Sequence, residues 1–317
     1  GTPSQLDKED FETIFSYIYK NYSIGSHPEI TLEANPDDLT PDYIAMLRTL
    51  PFNRLSMGIQ TFNESILKVL QRRHTARQAI EAFQNCRAAG FQNISIDLMY
   101  GLPGETLSTW QQDLDQALLL HPEHLSAYHL IYEEDTVLWK LREQHKVEEA
   151  DEDLSVSLFS TLIDRLTSEG YDHYEISNFS LPGLYSRHNS SYWTEKKYLG
   201  CGPSAHSYNG VSRQWNVASL DTYIKGISAG TPVFEIEELD LYTRYNDFVI
   251  TRIRTEWGMP LSKLRDEFGE KLYDYCLRMA APHLKQGTLE LVNDILKLTR
   301  KGIFISDGIM SDMLWTD

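Results

Sequence analysis

Strand-like and helix-like segments alternate along the first half of the sequence, and this order constrains the fold more than any other feature. Five short apolar runs predict strands, at residues 29–35, 54–60, 93–100, 124–131 and 171–178. Amphipathic segments between them predict helices, two of which begin at capping signals, Thr40-Pro41 and Thr75 to Gln78. Such an order is typical of an α/β fold, in which helices cover a parallel sheet.

Each predicted strand carries a polar side chain toward its carboxyl end, and we interpret these residues as marking the ends of the strands. They are Glu33, Gln60, Asp97, His129 and Glu175. In parallel barrels the active site gathers at the carboxyl ends of many strands, whereas in an open doubly wound sheet it lies at one switch point. The set therefore predicts a partial parallel (β/α) barrel.

Three of these side chains suit a nucleoside cofactor, which needs acceptors for ribose hydroxyls and polar partners for an amino acid end. Glu33, Gln60 and Asp97 supply them from adjacent strands, and Arg72 could bind a carboxylate through two hydrogen bonds. Any one of them could equally be a helix cap or a salt-bridge partner. We interpret the loop GLPGET, residues 101–106, as a tight turn between strand and helix, with direct ligand contact as the alternative.

The sequence changes character after residue 232. An acidic connector precedes predicted helices at 260–268 and 270–285 and a predicted hairpin at 289–299 that turns at Asn293-Asp294. Helix, helix and hairpin outline a small winged-helix-like domain, so we predict two domains, 1–232 and 233–317. Because the terminal stretch is not basic, we interpret the second domain as a packing or partner-docking module.

Charge and cysteine content narrow the partners and the compartment. The net charge of −17 disfavours binding to nucleic acid. We predict no integral membrane segment, since no apolar run approaches spanning length. Cys86, Cys201 and Cys276 show no CxxC spacing, which argues against a zinc or iron–sulfur site made by this chain alone. Three scattered cysteines and no secretory signal fit a cytoplasmic protein.

Successive motifs resemble those of radical S-adenosylmethionine (SAM) proteins related to oxygen-independent coproporphyrinogen III dehydrogenase. The resemblance covers nearly the whole chain, through GTPSQL, ITLEANPDDLT, NRLSMGIQTF, LQRRHT, ISIDLMYGLPGET and LSAYHLIYEE. Two branches compete, the dehydrogenase, which decarboxylates oxidatively in porphyrin biosynthesis, and HemW-type haem chaperones. The run at 187–208 resembles the HNxxYW and YLGxGxxAHS signatures of the chaperones and favours that branch. A structural or binding barrel that only shares the fold is the third hypothesis.

The resemblance implies SAM, a [4Fe–4S] cluster and haem as ligands, with haem-accepting proteins as partners. Gly1 and Thr2 match a glycine-rich strip at the SAM amino acid end, and Glu33 matches a SAM-contacting glutamate. The residues that match contacts to a second SAM in the dehydrogenase are Gln60, Arg72, Asp97 and Ile131, of which the last replaces a smaller residue. Arg73 is an adjacent alternative to Arg72.

The sequence departs from the family at its start. The family's CxxxCxxC loop lies upstream of GTPS, and this chain begins after it. We therefore expect residues 1–317 alone to bind no cluster and to be inactive in radical chemistry.

The haem candidate is His188, which Tyr192 and Trp193 follow closely. A neutral imidazole can ligate haem iron, and flat aromatic rings suit a porphyrin face. The alternative is a histidine that fixes a loop by hydrogen bonds. His129 and His206 are the reserve candidates.

Overall fold

A computed structural model describes residues 3–316, so the predicted sites at Gly1 and Thr2 lie outside the described residues. Contacts divide the chain into two units, Gly1–Tyr185 and Ser186–Asp317. The boundary predicted between residues 232 and 233 lies inside the second unit. There β9 (Phe234–Glu238) pairs with β8 (Ser212–Asn216), so the sheet itself crosses the predicted boundary. The division into domains 1–232 and 233–317 stays a prediction.

The first unit alternates strands and helices as predicted. Its elements are α1 (Lys8–Asn21), β1 (Thr31–Ala34), α2 (Pro41–Leu47), β2 (Arg54–Gln60), α3 (Glu64–Val69), α4 (Ala76–Ala88), β3 (Ile94–Tyr100), α5 (Leu107–Leu120), β4 (His124–His129), α6 (Val137–Glu143), α7 (Glu152–Ser168), β5 (Asp172–Glu175) and β6 (Asn178–Ser180). Thr40 caps α2 with Pro41 in the first turn, and Thr75 and Gln78 form the capping box of α4. The predicted capping signals are therefore confirmed.

The six strands form one sheet in the order β1-β2-β3-β4-β6-β5. The first four strands are parallel, which confirms the central part of the prediction. The predicted strand at 171–178 is wrong in detail, because it divides into β5 and β6, and β6 pairs antiparallel with both β4 and β5. The sheet is an open partial barrel, since β1 and β5 are its two edges among the described residues.

Residues near the start of the chain pack against the edge strand β1. A short helical turn, Pro3–Gln5, contacts β1, and the backbone N–H of Asn35 donates to Oγ of Ser4 at 3.4 Å. Ser4 in turn donates to Asp38 at 2.7 Å. These contacts hold the N-terminal segment beside the carboxyl end of β1.

The second unit combines two small sheets with helices. Its elements are α8 (Arg187–Trp193), β7 (His206–Tyr208), β8 (Ser212–Asn216), α9 (Leu220–Ser228), β9 (Phe234–Glu238), α10 (Leu241–Ile253), β10 (Met259–Pro260), α11 (Leu261–Gln286), β11 (Leu289–Val292), β12 (Ile295–Leu298), α12 (Arg300–Ile303) and α13 (Ser306–Met313). One sheet has the order β7-β8-β9 and the other β10-β12-β11.

The C-terminal part has the predicted winged-helix-like outline. The two predicted helices are confirmed, because α11 consists of two helical segments separated at Gly269, whose φ of 80° is not helical. The hairpin β11–β12 turns at Asn293 and Asp294 with φ values of 50° and 69°, which two-residue hairpin turns require. Within residues 3–316, no helix is both long enough and apolar enough to cross a membrane.

Candidate active site

The sheet of the first unit has one apolar and one polar face, because successive side chains of a strand point to opposite sides. The apolar face is buried, and α4 and α7 contact β2 and β3. Strand register places mostly polar side chains on the other face, among them Glu33, Arg54, Ser56, Ser95, Asp97, His124, Ser126 and Asn178. This polar face brings together residues that lie far apart in the sequence.

Asp97 lies in the middle of the polar face. The prediction that it ends its strand is wrong, because β3 continues to Tyr100 while Leu98 and Tyr100 stay buried on the apolar side. Ser56 donates to Oδ1 of Asp97 at 3.3 Å. Burial raises the pKa of Asp97 to about 6, with Glu33 adding to the rise, while hydrogen bonds from Ser126 and Ser56 and the charge of Arg54 oppose it. A carboxyl group with this pKa changes protonation near neutral pH.

Gln60 and Arg72 reach the same face above Gly58, which pairs with Asp97 in the strand register. A Cβ atom at Gly58 would lie 3.0 Å from Nε2 of Gln60 and 3.4 Å from Nη2 of Arg72. The missing side chain thus leaves the space that the amide and the guanidinium occupy. Gln60 reaches this place through a bulge between β2 and β3 and a φ of 72°.

The other predicted residues have different surroundings. Glu33 pairs with Ser56 across the strands and is exposed on the polar face. Ile131 lies beyond the end of β4 and is 70% exposed. Arg73 forms ion pairs with Asp37 and Asp38 at 2.9 and 3.0 Å. The structure therefore brings together Glu33, Gln60, Arg72 and Asp97.

His129 does not belong to this group. It pairs with Tyr100, so its side chain lies on the helix-covered face, where Nε2 is 3.0 Å from Oγ of Ser155 in α7. A Cβ atom at Gly101 would lie 2.6 Å from the same Nε2 atom. The prediction of His129 as a polar strand end at the site is wrong, because strand alternation turns it away from Asp97.

Sequence reasoning missed a buried polar chain beside the site. Nδ1 of His124 is 2.8 Å from Oγ of Ser95, and Nε2 is 2.7 Å from the hydroxyl of Tyr174. Burial, with the charge of Arg54, lowers the pKa of His124 well below its usual range, so the imidazole is neutral. The alternation of polar and apolar residues in HLSAYH was the signal that could have identified this face.

The loop GLPGET adopts the predicted tight turn. Glu105 accepts hydrogen bonds from the backbone N–H groups of Gly101 and Leu102 at 2.7 and 3.3 Å. Burial raises the pKa of Glu105 to about 7. The carboxyl group closes the turn from inside, so the turn is held by its own residues.

In the second unit, the haem candidate His188 begins a run of aromatic rings. Its Nε2 atom is 2.9 Å from the hydroxyl of Tyr192, whose ring contacts that of Tyr198 at 4.7 Å. The ring of Tyr198 lies 6.1 Å from that of Tyr208 in β7. His188 is exposed at one end of this run.

The residues present fit SAM and do not fit an iron–sulfur cluster. The polar face offers carboxylate, amide and guanidinium groups, and Nε of Arg72 is buried without a hydrogen-bond partner. Burial raises the pKa of Cys86 to about 12 and that of Cys276 to about 11, while Cys201 is exposed. Within residues 3–316, no three His, Cys, Asp or Glu side chains are arranged to hold a metal ion.

Family models match both units of the chain. Residues 1–117 match the model described as the Radical SAM superfamily, and residues 239–305 match the HemN C-terminal domain. A protein of Lactococcus lactis named heme chaperone HemW is 32% identical over 100% of this chain and 83% of its own length. The protein of the same name from Bacillus subtilis is 30% identical over 99% of this chain and 83% of its own.

A solved structure supports the fold. Coproporphyrinogen III oxidase (HemN) from Escherichia coli, titled a radical SAM enzyme, matches with a TM-score of 0.83. The match covers 99% of this chain and 76% of the other at 22% identity, which supports likeness of fold only.

Proposed function

Since this chain belongs to the HemW-type branch of the radical SAM family, we propose that it binds haem and SAM and passes haem to haem-accepting proteins. The observation that carries the proposal is the likeness to heme chaperones named HemW over the full length of the chain. We place this activity in the cytoplasm. Cys86, Cys201 and Cys276 are free thiols, as is usual in a reducing compartment.

SAM would bind on the polar face of the first unit. Asp97 and Glu33 would accept hydrogen bonds from ribose hydroxyls or the ammonium group, and Arg72 would bind the carboxylate. Gln60 would orient the ligand with its amide. Bound to a cluster, SAM supplies radical chemistry in this family, and the chain's own residues hold and orient it.

The cysteines of this chain do not suit an iron–sulfur cluster. Cys86 and Cys276 are buried and Cys201 is exposed, and burial disfavours the thiolate form that ligates iron. We therefore propose no cluster site on residues 3–316.

Haem would bind to the second unit, with His188 as the iron ligand. The tyrosine hydroxyl beside Nε2 would have to turn away when the iron binds, because it occupies the position of the metal. The rings of Tyr192 and Tyr198 would supply a flat apolar surface.

The alternative, a coproporphyrinogen III dehydrogenase, has weaker support. It rests on a likeness of fold at 22% identity, whereas the relatives named HemW are 30% and 32% identical. One experiment separates the two: a form of the protein that includes the family's CxxxCxxC segment, and so carries a cluster, is incubated anaerobically with coproporphyrinogen III, SAM and a reductant, and in parallel with hemin and an apo-cytochrome. We expect haem transfer without vinyl-group formation, and turnover of coproporphyrinogen would overturn the chaperone proposal.

A further inference from the structure

A second histidine of the second unit lies in a cavity suited to a flat aromatic ligand. The cavity measures about 340 Å³ and is formed where β7, β8 and β9 meet. Its lining residues include His206, Trp215, Val217, Val233, Phe234 and Glu235. The size is at the lower end of small-molecule pockets, about 300–1,000 Å³, so it suits part of a macrocycle with the rest in solvent.

Strand register places the important side chains on one face of this sheet. His206 pairs with Trp215, which pairs with Glu235, so the three form a row across the strands. The rings of His206 and Trp215 are stacked, with centroids 5.9 Å apart and planes inclined by 28°. Val217 lies one residue past β8 and Val233 one residue before β9; the N–H of Val217 donates to the carbonyl of Val233 at 3.1 Å, and both residues line the cavity.

The ring nitrogens of His206 are available to bind a ligand. Within residues 3–316, no hydrogen bond or ion pair engages the imidazole, and the residue is exposed. This differs from His188, whose Nε2 atom is already paired with the hydroxyl of Tyr192. An imidazole with free ring nitrogens beside an indole ring presents both a metal ligand and an apolar surface.

The backbone of His206 is held firmly from behind. A Cβ atom at Gly200 would lie 2.1 Å from the carbonyl oxygen of His206, so only glycine fits there. The N–H of Gly200 donates to Oγ of Ser207 at 3.0 Å, and Nδ2 of Asn216 donates to the carbonyl of Gly202 at 2.9 Å. The glycine-rich loop thus fixes the strand that presents the histidine.

We propose that His206 is a second haem-iron ligand of this protein, with Trp215 packed against the macrocycle. Haem would enter the cavity by an apolar edge, beside Val233 and Phe234, which are 45% and 43% exposed. The propionates would point to solvent, away from Glu235. The run of rings from His188 ends at Tyr208, two residues from His206 on the same strand. The two histidines would therefore form two haem positions on one unit, and this inference rests on the proposed haem binding.

The test is a hemin titration of the protein and of four variants, His206→Gly, Trp215→Leu, His188→Ala and His145→Asn. His145 is exposed in the first unit with a φ of 53°, a conformation that asparagine tolerates, so it controls for loss of a surface histidine. Thermal unfolding verifies that each variant folds. Absorption spectra report both the number of bound haems and the nature of the iron ligand.

We expect the wild-type protein and His145→Asn to bind about two hemin equivalents, and His206→Gly to bind about one. Adding imidazole to His206→Gly should restore the second equivalent and its spectrum, because the free ligand fills the vacated space. Trp215→Leu should weaken the same equivalent about tenfold, which corresponds to about 1.4 kcal/mol.

Two results would overturn the inference. If His206→Gly binds hemin as the wild type does while His188→Ala loses all binding, the second position does not exist and the proposed function stands. If the wild-type protein binds no hemin, the proposed function fails and this inference fails with it.

Discussion

Nη2 of Arg72 donates a hydrogen bond of 2.7 Å to Oδ1 of Asn35, which follows β1. The same atom donates to the carbonyl of Gly58 at 2.9 Å. These two acceptors hold the guanidinium over the polar face, while its buried Nε–H has no hydrogen-bond partner among residues 3–316. A residue from the connection between α3 and α4 is thereby fixed beside strands that lie far from it in the sequence.

Arg72→Lys should weaken SAM binding although the charge is kept. Both acceptors bind one nitrogen, Nη2, so the other N–H groups of the guanidinium remain for a ligand in a fixed plane, which a lysine ammonium cannot reproduce. We expect a loss of about tenfold or more in affinity, measured by equilibrium dialysis of the protein with SAM. Arg73→Lys is the matched control, since Arg73 forms ion pairs with Asp37 and Asp38 instead. Equal losses in both variants would refute the role of Arg72.

Gly58→Ala should weaken SAM binding and leave the protein folded. The new methyl group would lie 3.0 Å from Nε2 of Gln60 and 3.4 Å from Nη2 of Arg72, so both side chains must shift. Gly25→Ala is the control, because nothing lies within 4 Å of a Cβ atom there. We expect about 1–3 kcal/mol of destabilisation from overpacking, read by chemical denaturation, and reduced SAM affinity. Unchanged affinity would show that Gln60 and Arg72 do not contact the ligand.

Asp97→Ala should weaken SAM binding more than haem binding. The carboxyl group lies in the centre of the polar face, and losing a charged hydrogen bond typically costs about 1.5–3 kcal/mol, or about ten- to a hundredfold in affinity. Separate titrations with SAM and with hemin measure the two effects. A larger effect on hemin than on SAM would contradict the assignment of the polar face.

His188→Ala should do the reverse and weaken haem binding while SAM binding is kept. Tyr192→Phe provides a second, sharper variant, because it removes the hydroxyl that competes with iron for Nε2 of His188. We expect Tyr192→Phe to raise haem affinity by about two- to tenfold, since a neutral hydrogen bond contributes about 0.5–1.5 kcal/mol. If His188→Ala leaves the spectrum and affinity of the haem complex unchanged, His188 is not a ligand.

Glu105→Gln should change the pH dependence of stability. Burial raises the pKa of Glu105 from 4.5 to about 7, so the folded state holds the proton more tightly than the unfolded chain does. The stability that protonation contributes is complete below about pH 4.5 and is lost as the pH rises through about 7. The variant should therefore gain relative to the wild-type protein between pH 5 and pH 8, by on the order of 1–3 kcal/mol.

Urea unfolding at several pH values measures this difference, with the exposed Glu81→Gln as the control. A pH-independent difference between Glu105→Gln and the wild-type protein would show that the carboxyl group is ionised throughout this range.

Sequence patterns predicted the strands and helices of the first unit because local chemistry specifies them. The capping signals, the first four apolar runs and the Asn293-Asp294 turn each depend on neighbouring residues, and each is confirmed. The position of the short strand β6 between β4 and β5 in the sheet could not be predicted in this way, because strand order depends on pairing between distant segments.

What the sequence determined by itself is the alternating order of elements and the family motifs, which include the residues of the candidate site. Only the tertiary structure decided which of them meet. His129 and Asp97 both follow apolar runs, yet the register of β3 with β4 places them on opposite faces, since each residue along a strand reverses the direction of its side chain. The space above Gly58 likewise arises only where Gln60 and Arg72 converge from separate connections, a packing relation that no local pattern encodes.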